Sequence, residues 1–234
     1  MTSSDNSPES QLRLNKYVAV SLGVSRRQAD KLIEQGNILI NNSPAKLGAR
    51  ISPNDIVSYN GKQITPKTYK LIALHKPTGY LCSRASQGGM PTIYRLLPQE
   101  LSHLKPVGRL DKDTSGLILL TNDGDWSHQM THPSFKKTKR YLATLNKPLQ
   151  PLHRQMISDF GVDLPDGPSK LSLERQHEGD DTRWIIEMSE GRNRQIRRTF
   201  EALGYTVTKL HRTNFGNYSL GDIKRGEWQE LDIS

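Results

Sequence analysis

Apolar positions recur along the chain with two different spacings, and the change falls near residue 70. Leu14, Tyr17 and Val18 stand at i, i+3 and i+4, which predicts a helix ended by Gly23. Ser25-Arg26-Arg27-Gln28 has the Ser-x-x-Gln form of a capping box and predicts a second helix. That helix would turn Ala29, Leu32 and Ile33 inward and stop at Gly36. Ile38–Ile40 and the segment around Ile56-Val57 read as strands, with Asn41-Asn42 as a turn. Residues 1–10 are polar and aperiodic, the pattern of a disordered tail. A small domain over 11–62 and a polar linker over 63–70, carrying Pro66, follow.

From Leu71 the apolar runs become continuous. Leu71–Leu74 and Leu117–Leu120 are short runs bounded by turn residues, which suits strands buried on both faces. Asn122-Asp123-Gly124 reads as the turn after the second of them. Tyr141, Ala143 and Leu145 alternate on one face of a further strand, and Trp184–Met188 forms another. Helices are expected around Ile93–Leu97, at Trp126 and Met130, and at Leu152, Met156 and Ile157. Residues 163–181 contain turns, among them the acidic Glu178-Gly179-Asp180-Asp181. A last helix opens in Glu190–Arg198, with Ile196, Thr199, Phe200 and Leu203 inward and Gly204 as its stop.

Charge narrows the choice of partner. The 234 residues carry a formal net charge of +9, which favours a polyanion over a membrane surface. Residues 11–62 hold eight Lys/Arg against three Asp/Glu, more than half of that excess. Arg26, Arg27 and Lys31 lie on the polar side of the second helix, where they can meet phosphates or serve only as a solvated face. No apolar run approaches the ~18 residues needed to span a bilayer, and residues 1–10 lack the features of a secretory signal. The single cysteine, Cys82, excludes an internal disulfide and a Cys-based zinc site and suits a reducing cytoplasm. The seven histidines show no metal-binding spacing, so no metal is expected.

Candidate chemistry concentrates in Val107–Gly124. Asp111 should sit on a loop at the mouth of a rigid central strand. In the blander reading, Asp111 and Asp113 merely bond the backbone of an Asx-type turn. The second cluster is Glu190-Gly191-Arg192-Asn193-Arg194-Gln195-Ile196-Arg197-Arg198. Four arginines at a helix start oppose the helix dipole, a local cost that points to an anionic ligand.

Gly108-Arg109-Leu110-Asp111-Lys112-Asp113-Thr114-Ser115-Gly116-Leu117 closely resembles the signature of pseudouridine synthases, most of all the RsuA and RluB type that act on ribosomal RNA. Lys76-Pro77-Thr78-Gly79-Tyr80, Lys139-Arg140-Tyr141, Gly191–Arg198 and the Leu210-His211-Arg212 segment resemble its other motifs, with His75 in place of the usual Asn. Arg13–Tyr17, Ser25–Ala29 and Ile33–Gly36 resemble the alpha-L RNA-binding motif of a small-subunit ribosomal protein.

The resemblance implies an α+β chain. A small N-terminal alpha-L RNA-binding domain would precede a pseudouridine synthase domain, residues 71–234, with a mixed, mainly antiparallel sheet flanked by helices. It makes Asp111 the catalytic carboxylate, Tyr141 the base-stacking ring and Arg197 the cation paired with Asp111. Arg109, Lys139, Arg140, Arg192 and Arg194 join Arg26, Arg27 and Lys31 as RNA contacts. The implied reaction needs no cofactor or metal. The implied partner is ribosomal RNA or a ribosomal assembly intermediate, met by a cytoplasmic monomer, with the Arg192–Arg198 wording favouring 23S over 16S rRNA. Two other readings compete: a catalytically inactive RNA-binding ribosome-assembly factor, and a hydrolytic base glycosidase.

Overall fold

The structure, a computed structural model, describes residues 11–66 and 68–232, so the tail expected at 1–10 lies outside it. The chain divides into two compact units after Tyr69.

In the first unit, helix α1 (Leu14–Leu22) ends at Gly23 in the left-handed region, φ 72°. Helix α2 (Arg26–Glu34) starts on a complete capping box. The Ser25 hydroxyl accepts from the Gln28 amide at 3.2 Å, and the Gln28 side chain accepts from the Ser25 amide at 2.9 Å. Losing such a cap typically costs about 1 kcal/mol. A four-stranded antiparallel sheet orders Ser43–Pro44, Ile38–Ile40, Val57–Tyr59 and Lys62–Gln63 side by side. Leu14, Val18, Ala29, Ile33, Ile38 and Val57 form its core. Ile56 is exposed, so that strand begins one residue later than the pattern suggests. Gln63 pairs in the sheet and Ile64 packs on the core, so two residues of the expected linker belong to this unit. Arg26, Arg27 and Lys31 are exposed along α2.

The second unit is built on one long sheet. Its main strands are β1 (Leu71–Lys76), β2 (Ser115–Thr121), β3 (Lys139–Leu145), β4 (Ser172–Arg175), β5 (Arg183–Met188), β6 (Val207–Phe215) and β7 (Trp228–Leu231). They lie in the order β4-β5-β3-β6-β2-β1-β7. All neighbours are antiparallel except β6 and β2, which run parallel, so the sheet is mixed and mainly antiparallel as expected. The continuous apolar runs now have their reason. Ile72, Leu74, Ile118 and Leu120 enter one core, while Leu71, Ala73, Leu117 and Leu119 enter another on the opposite face. At the parallel contact Gly116 lies opposite Arg212 with φ 109°, and a Cβ there would collide with the Arg212 backbone.

Three local expectations change, and a fourth segment gains strands beside its turns. Asn122-Asp123-Gly124 is no hairpin turn: Asp123 caps helix α3 (Gly124–Thr131) by accepting from the Asp125 and Trp126 amides. The Leu152–Ile157 helix exists as α4 (Pro151–Gln155) running into a π-helical turn, but Leu152 is exposed. Residues 163–181 hold a two-stranded hairpin and β4 as well as turns. The arginine-rich helix, α5, spans only Gln195–Glu201; Arg192 and Arg194 precede it, Arg194 in the left-handed region at φ 47°.

Candidate active site

The loop Val107–Thr114 leads into β2 and is held from below by Lys76, the last residue of β1. The Lys76 ammonium is 0% exposed and donates to the carbonyls of Pro77 (3.0 Å), Asp111 (3.0 Å) and Thr114 (2.8 Å). Burial pushes its pKa below the usual lysine value, against the raising effect of Cys82, Asp111 and Asp113. Three carbonyls facing one buried cation supply the compensation such a charge requires. The Thr114 amide donates to the Asp111 carbonyl at 3.1 Å, the Gly79 amide to the Lys112 carbonyl, and the Leu110 amide to Cys82 Sγ. Backbone carbonyls thus close the turn. No backbone amide among the described residues bonds the Asp111 carboxylate, so the Asx-type turn is not its job.

That carboxylate opens on a cavity of about 500 Å³. Arg109, Lys139, Tyr141, Arg192, Arg194 and Arg197 share its wall, together with Arg212. Seven of the sequence-derived candidates, counting Asp111, therefore meet in one place. Tyr141 is 7% exposed in the middle of β3, and its ring stands in the cavity wall beside Met188, Ile196 and Leu210. Arg140, next along the strand, projects to the other side and pairs with Glu187 of β5 at 3.7 Å. It does not line the cavity, as the two-residue period of a strand dictates. Arg26, Arg27 and Lys31 belong to the first unit.

The arginine pairing differs from expectation. Arg197 meets Asp113, not Asp111: its Nε lies 3.4 Å from the Asp113 carboxylate and its Nη2 donates to the Asp113 carbonyl at 2.9 Å. The cation beside Asp111 is Arg194, whose Nη1 lies 3.7 Å from it and 3.1 Å from Asp113. Burial works against the Asp113 charge, but hydrogen bonds from Arg194 and the charge of Arg197 hold its carboxyl below the usual range. Arg192 serves the scaffold, donating to the carbonyls of Asp166, Gly167 and Pro168 and pairing with Asp166.

Arg212 lies in the Leu210-His211-Arg212 segment, where the sequence alone gives it no role because its partners are distant in the chain. It is 2% exposed, donates from Nε to the Leu117 carbonyl at 2.8 Å and lies over the Phe215 ring. Lys139 lies over the same ring, and burial, with Arg212 nearby, lowers its pKa to about 8. Five buried side-chain polar atoms lack a hydrogen-bond partner among the described residues, and four belong to residues of this wall: Thr114 Oγ1, Arg192 Nε, Arg212 Nη2 and Arg197 Nε, the last held by its ion pair with Asp113. Native structures rarely leave such groups unpaired away from a functional site. Arg109, Lys139, Arg194 and Arg212 make the wall cationic, so the complementary ligand is rich in acceptors: a phosphate, a ribose or the carbonyls of a base. An anionic carboxylate, an aromatic wall and converging cations suit work on a nucleotide.

Comparison with known proteins gives the same direction. Residues 70–202 match the family model described as RNA pseudouridylate synthase, and residues 12–57 match the S4 domain. The chain is 38% identical over 227 residues to the dual-specificity RNA pseudouridine synthase RluF of Shigella flexneri, covering 96% of this chain and 77% of that one. It is 36% identical to the ribosomal small subunit pseudouridine synthase A of Pasteurella multocida, covering 94% of this chain and 96% of that one. A crystal structure of a pseudouridylate synthase superposes with a TM-score of 0.67 at 36% identity, covering 94% of this chain and 96% of that chain.

Proposed function

The chain belongs to the RNA pseudouridylate synthase family, and from that premise we propose how its residues divide the work. The enzyme isomerises uridine to pseudouridine in RNA: the N1–C1′ bond breaks, the base turns, and C5 bonds to C1′. No atom is gained or lost overall. The uridine is extruded from its stack into the cavity, an exchange that basic walls and an aromatic ring make affordable.

Asp111 is the catalytic carboxylate. As an anion it either attacks C1′, displacing the base, or takes the C2′ proton to give a glycal. Both routes start from the same atom. Arg194, the nearest cation, supports that anion directly, while Arg197 acts one step removed by fixing Asp113 and the loop. Tyr141 stacks on the base, and its hydroxyl assists removal of the C5 proton after the new bond forms. Arg109 contacts phosphate beside the extruded nucleotide, and Lys139 and Arg212 neutralise the backbone.

The single observation that carries this reading is the meeting of Asp111, Tyr141 and Arg197 with Arg109, Lys139, Arg194 and Arg212 in one cavity. The substrate is ribosomal RNA, with the 23S molecule preferred on the wording of Arg192–Arg198. The S4 domain adds a second RNA contact through Arg26, Arg27 and Lys31. Asp111→Asn tests the catalytic assignment: turnover should vanish while fold and RNA affinity persist, and residual turnover above a mock control would sink it. Mapping pseudouridines in rRNA of cells lacking the protein tests the substrate; an unchanged 23S map with a missing 16S site would reverse the preference.

A further inference from the structure

At the rim of the cavity three aromatic rings gather on the surface. His128 lies in the last turn of α3, His132 follows the helix, and Phe135 ends the next short turn. The two imidazoles stand 4.7 Å apart with their planes tilted 33° to one another. Phe135 meets both edge-on, at 6.1 and 6.3 Å. All three side chains are exposed, Phe135 by 47%. The cluster is nevertheless fixed, because His132 Nδ1 accepts from the Ser134 amide at 3.3 Å and orients its ring.

Two facts tie these rings to the reaction site. Thr131 and Pro133, which flank His132, both line the cavity that holds Asp111. Gly108, just before Arg109, lies close to Thr131: a Cβ built on the glycine would stand 3.6 Å from Thr131 Cγ2, so the catalytic loop runs beside the segment that carries the rings. The chain beyond the rings is basic: Lys136, Lys137 and Lys139 follow within four residues of Phe135. Exposed aromatic groups set among lysines and an arginine match single-stranded RNA, whose bases offer π-faces and whose backbone offers charge. An apolar protein partner would find that charge unfavourable.

We propose that His128, His132 and Phe135 form a stacking platform for an unpaired base next to the uridine being isomerised. Extruding one nucleotide leaves a neighbour without its stacking partner, and a fixed ring cluster at the cavity rim replaces that contact. The platform would then act on RNA affinity and on the choice of nucleotide beside the target, leaving bond breaking to the cavity. This inference rests on RNA as the occupant of the adjoining cavity, and the test separates the two.

The experiment measures binding of the full chain to a uridine 12-mer and to a 12-mer with abasic riboses, across a salt series. Wild type should prefer the base-bearing strand. His128→Ala with Phe135→Ala should weaken binding to the uridine strand about 5-fold to about 150-fold, the range for one stacked base. Binding to the abasic strand and the salt slope should not move, since no charge has been removed. Phe135→Trp should retain wild-type affinity. If the double variant fails to fold, His128→Ala alone carries the same comparison, because alanine suits an exposed helical position. A double variant that keeps the full base preference overturns the platform and leaves the RNA reading intact. Failure of wild type to bind either strand would remove both.

Discussion

The ammonium nitrogen of Lys76 stands 3.0 Å from the backbone oxygen of Asp111, so the residue that ends one central strand holds the loop leading into its neighbour. The bond reaches the main chain, leaving the Asp111 carboxylate to the cavity. Lys76 is therefore a positioning residue. Lys76→Met would keep most of the volume but strand the buried carbonyls of Pro77 and Thr114, while that of Asp111 keeps only the Thr114 amide, a loss of roughly 2–5 kcal/mol of stability. We expect a lower Tm and a kcat reduced at least ~10²-fold, with KM for RNA within a few fold. Rate measurements below the variant's melting range separate the two effects. Undiminished kcat would mean that the loop holds its shape without the lysine.

Much of this loop's setting was legible beforehand. A short apolar run after Gly116 suffices to predict a strand buried on both faces, because only a central strand tolerates Leu117 to Leu120 without alternation. The capping box at Ser25 and the stop at Gly23 are likewise local chemistry, and the helices they bound stand where expected. Local patterns could not reveal long-range partners. Lys76 looks like a turn residue until Asp111, 35 positions on, closes around it. Arg197 was assigned to Asp111, but the left-handed turn at Arg194 swings that guanidinium between both aspartates and leaves Arg197 to Asp113. Arg140 shares the basic cluster of its neighbours in sequence, yet strand alternation sends it to the far side.

The exposed helix of the first unit should act through charge alone. Replacing Arg26, Arg27 and Lys31 together by alanine removes up to three phosphate contacts. For single-stranded RNA each contact contributes about 0.7 to the slope of log affinity against log salt, so the slope should fall by about 2. The helix itself should persist, since alanine favours it and the Ser25 cap is untouched. Filter binding across a salt series measures the slope. An unchanged value would make α2 a solvated face with no RNA contact.

Lys139 predicts a pH dependence. Its pKa of about 8 lies below the unfolded value of about 10.4, chiefly because burial disfavours the ammonium. Below about pH 8 both states are protonated and the burial cost stands in full. Between about 8 and about 10.4 the unfolded chain holds a proton that the folded chain has released, so this group's contribution to stability rises with pH there. Function should move the opposite way: loss of the cavity-lining charge weakens RNA binding as pH climbs through about 8. Lys139→Arg keeps the charge and should flatten that decline. Titrating RNA affinity from pH 7 to 9 in both proteins checks it; parallel curves would assign the decline to another group.

Tyr141 carries two proposed jobs that one substitution can separate. Its ring lies in the cavity wall opposite Arg212 in the β3–β6 register, where it can hold a base against the guanidinium side. Stacking of this kind is worth roughly 1–3 kcal/mol per base. Its ring lines the cavity and its hydroxyl is not one of the buried unpaired atoms, so Tyr141→Phe should leave stability within about 0.5 kcal/mol. RNA affinity should also persist, because the ring remains. Turnover should fall by about 10²–10⁴-fold, the usual worth of a positioned proton acceptor, with the block after glycosidic cleavage. Tyr141→Leu should lose affinity as well as rate. Rapid-quench kinetics with C5-tritiated RNA measure tritium release directly. Release from Tyr141→Phe at the wild-type rate would confine the tyrosine to stacking and pass the C5 proton to another group in the wall.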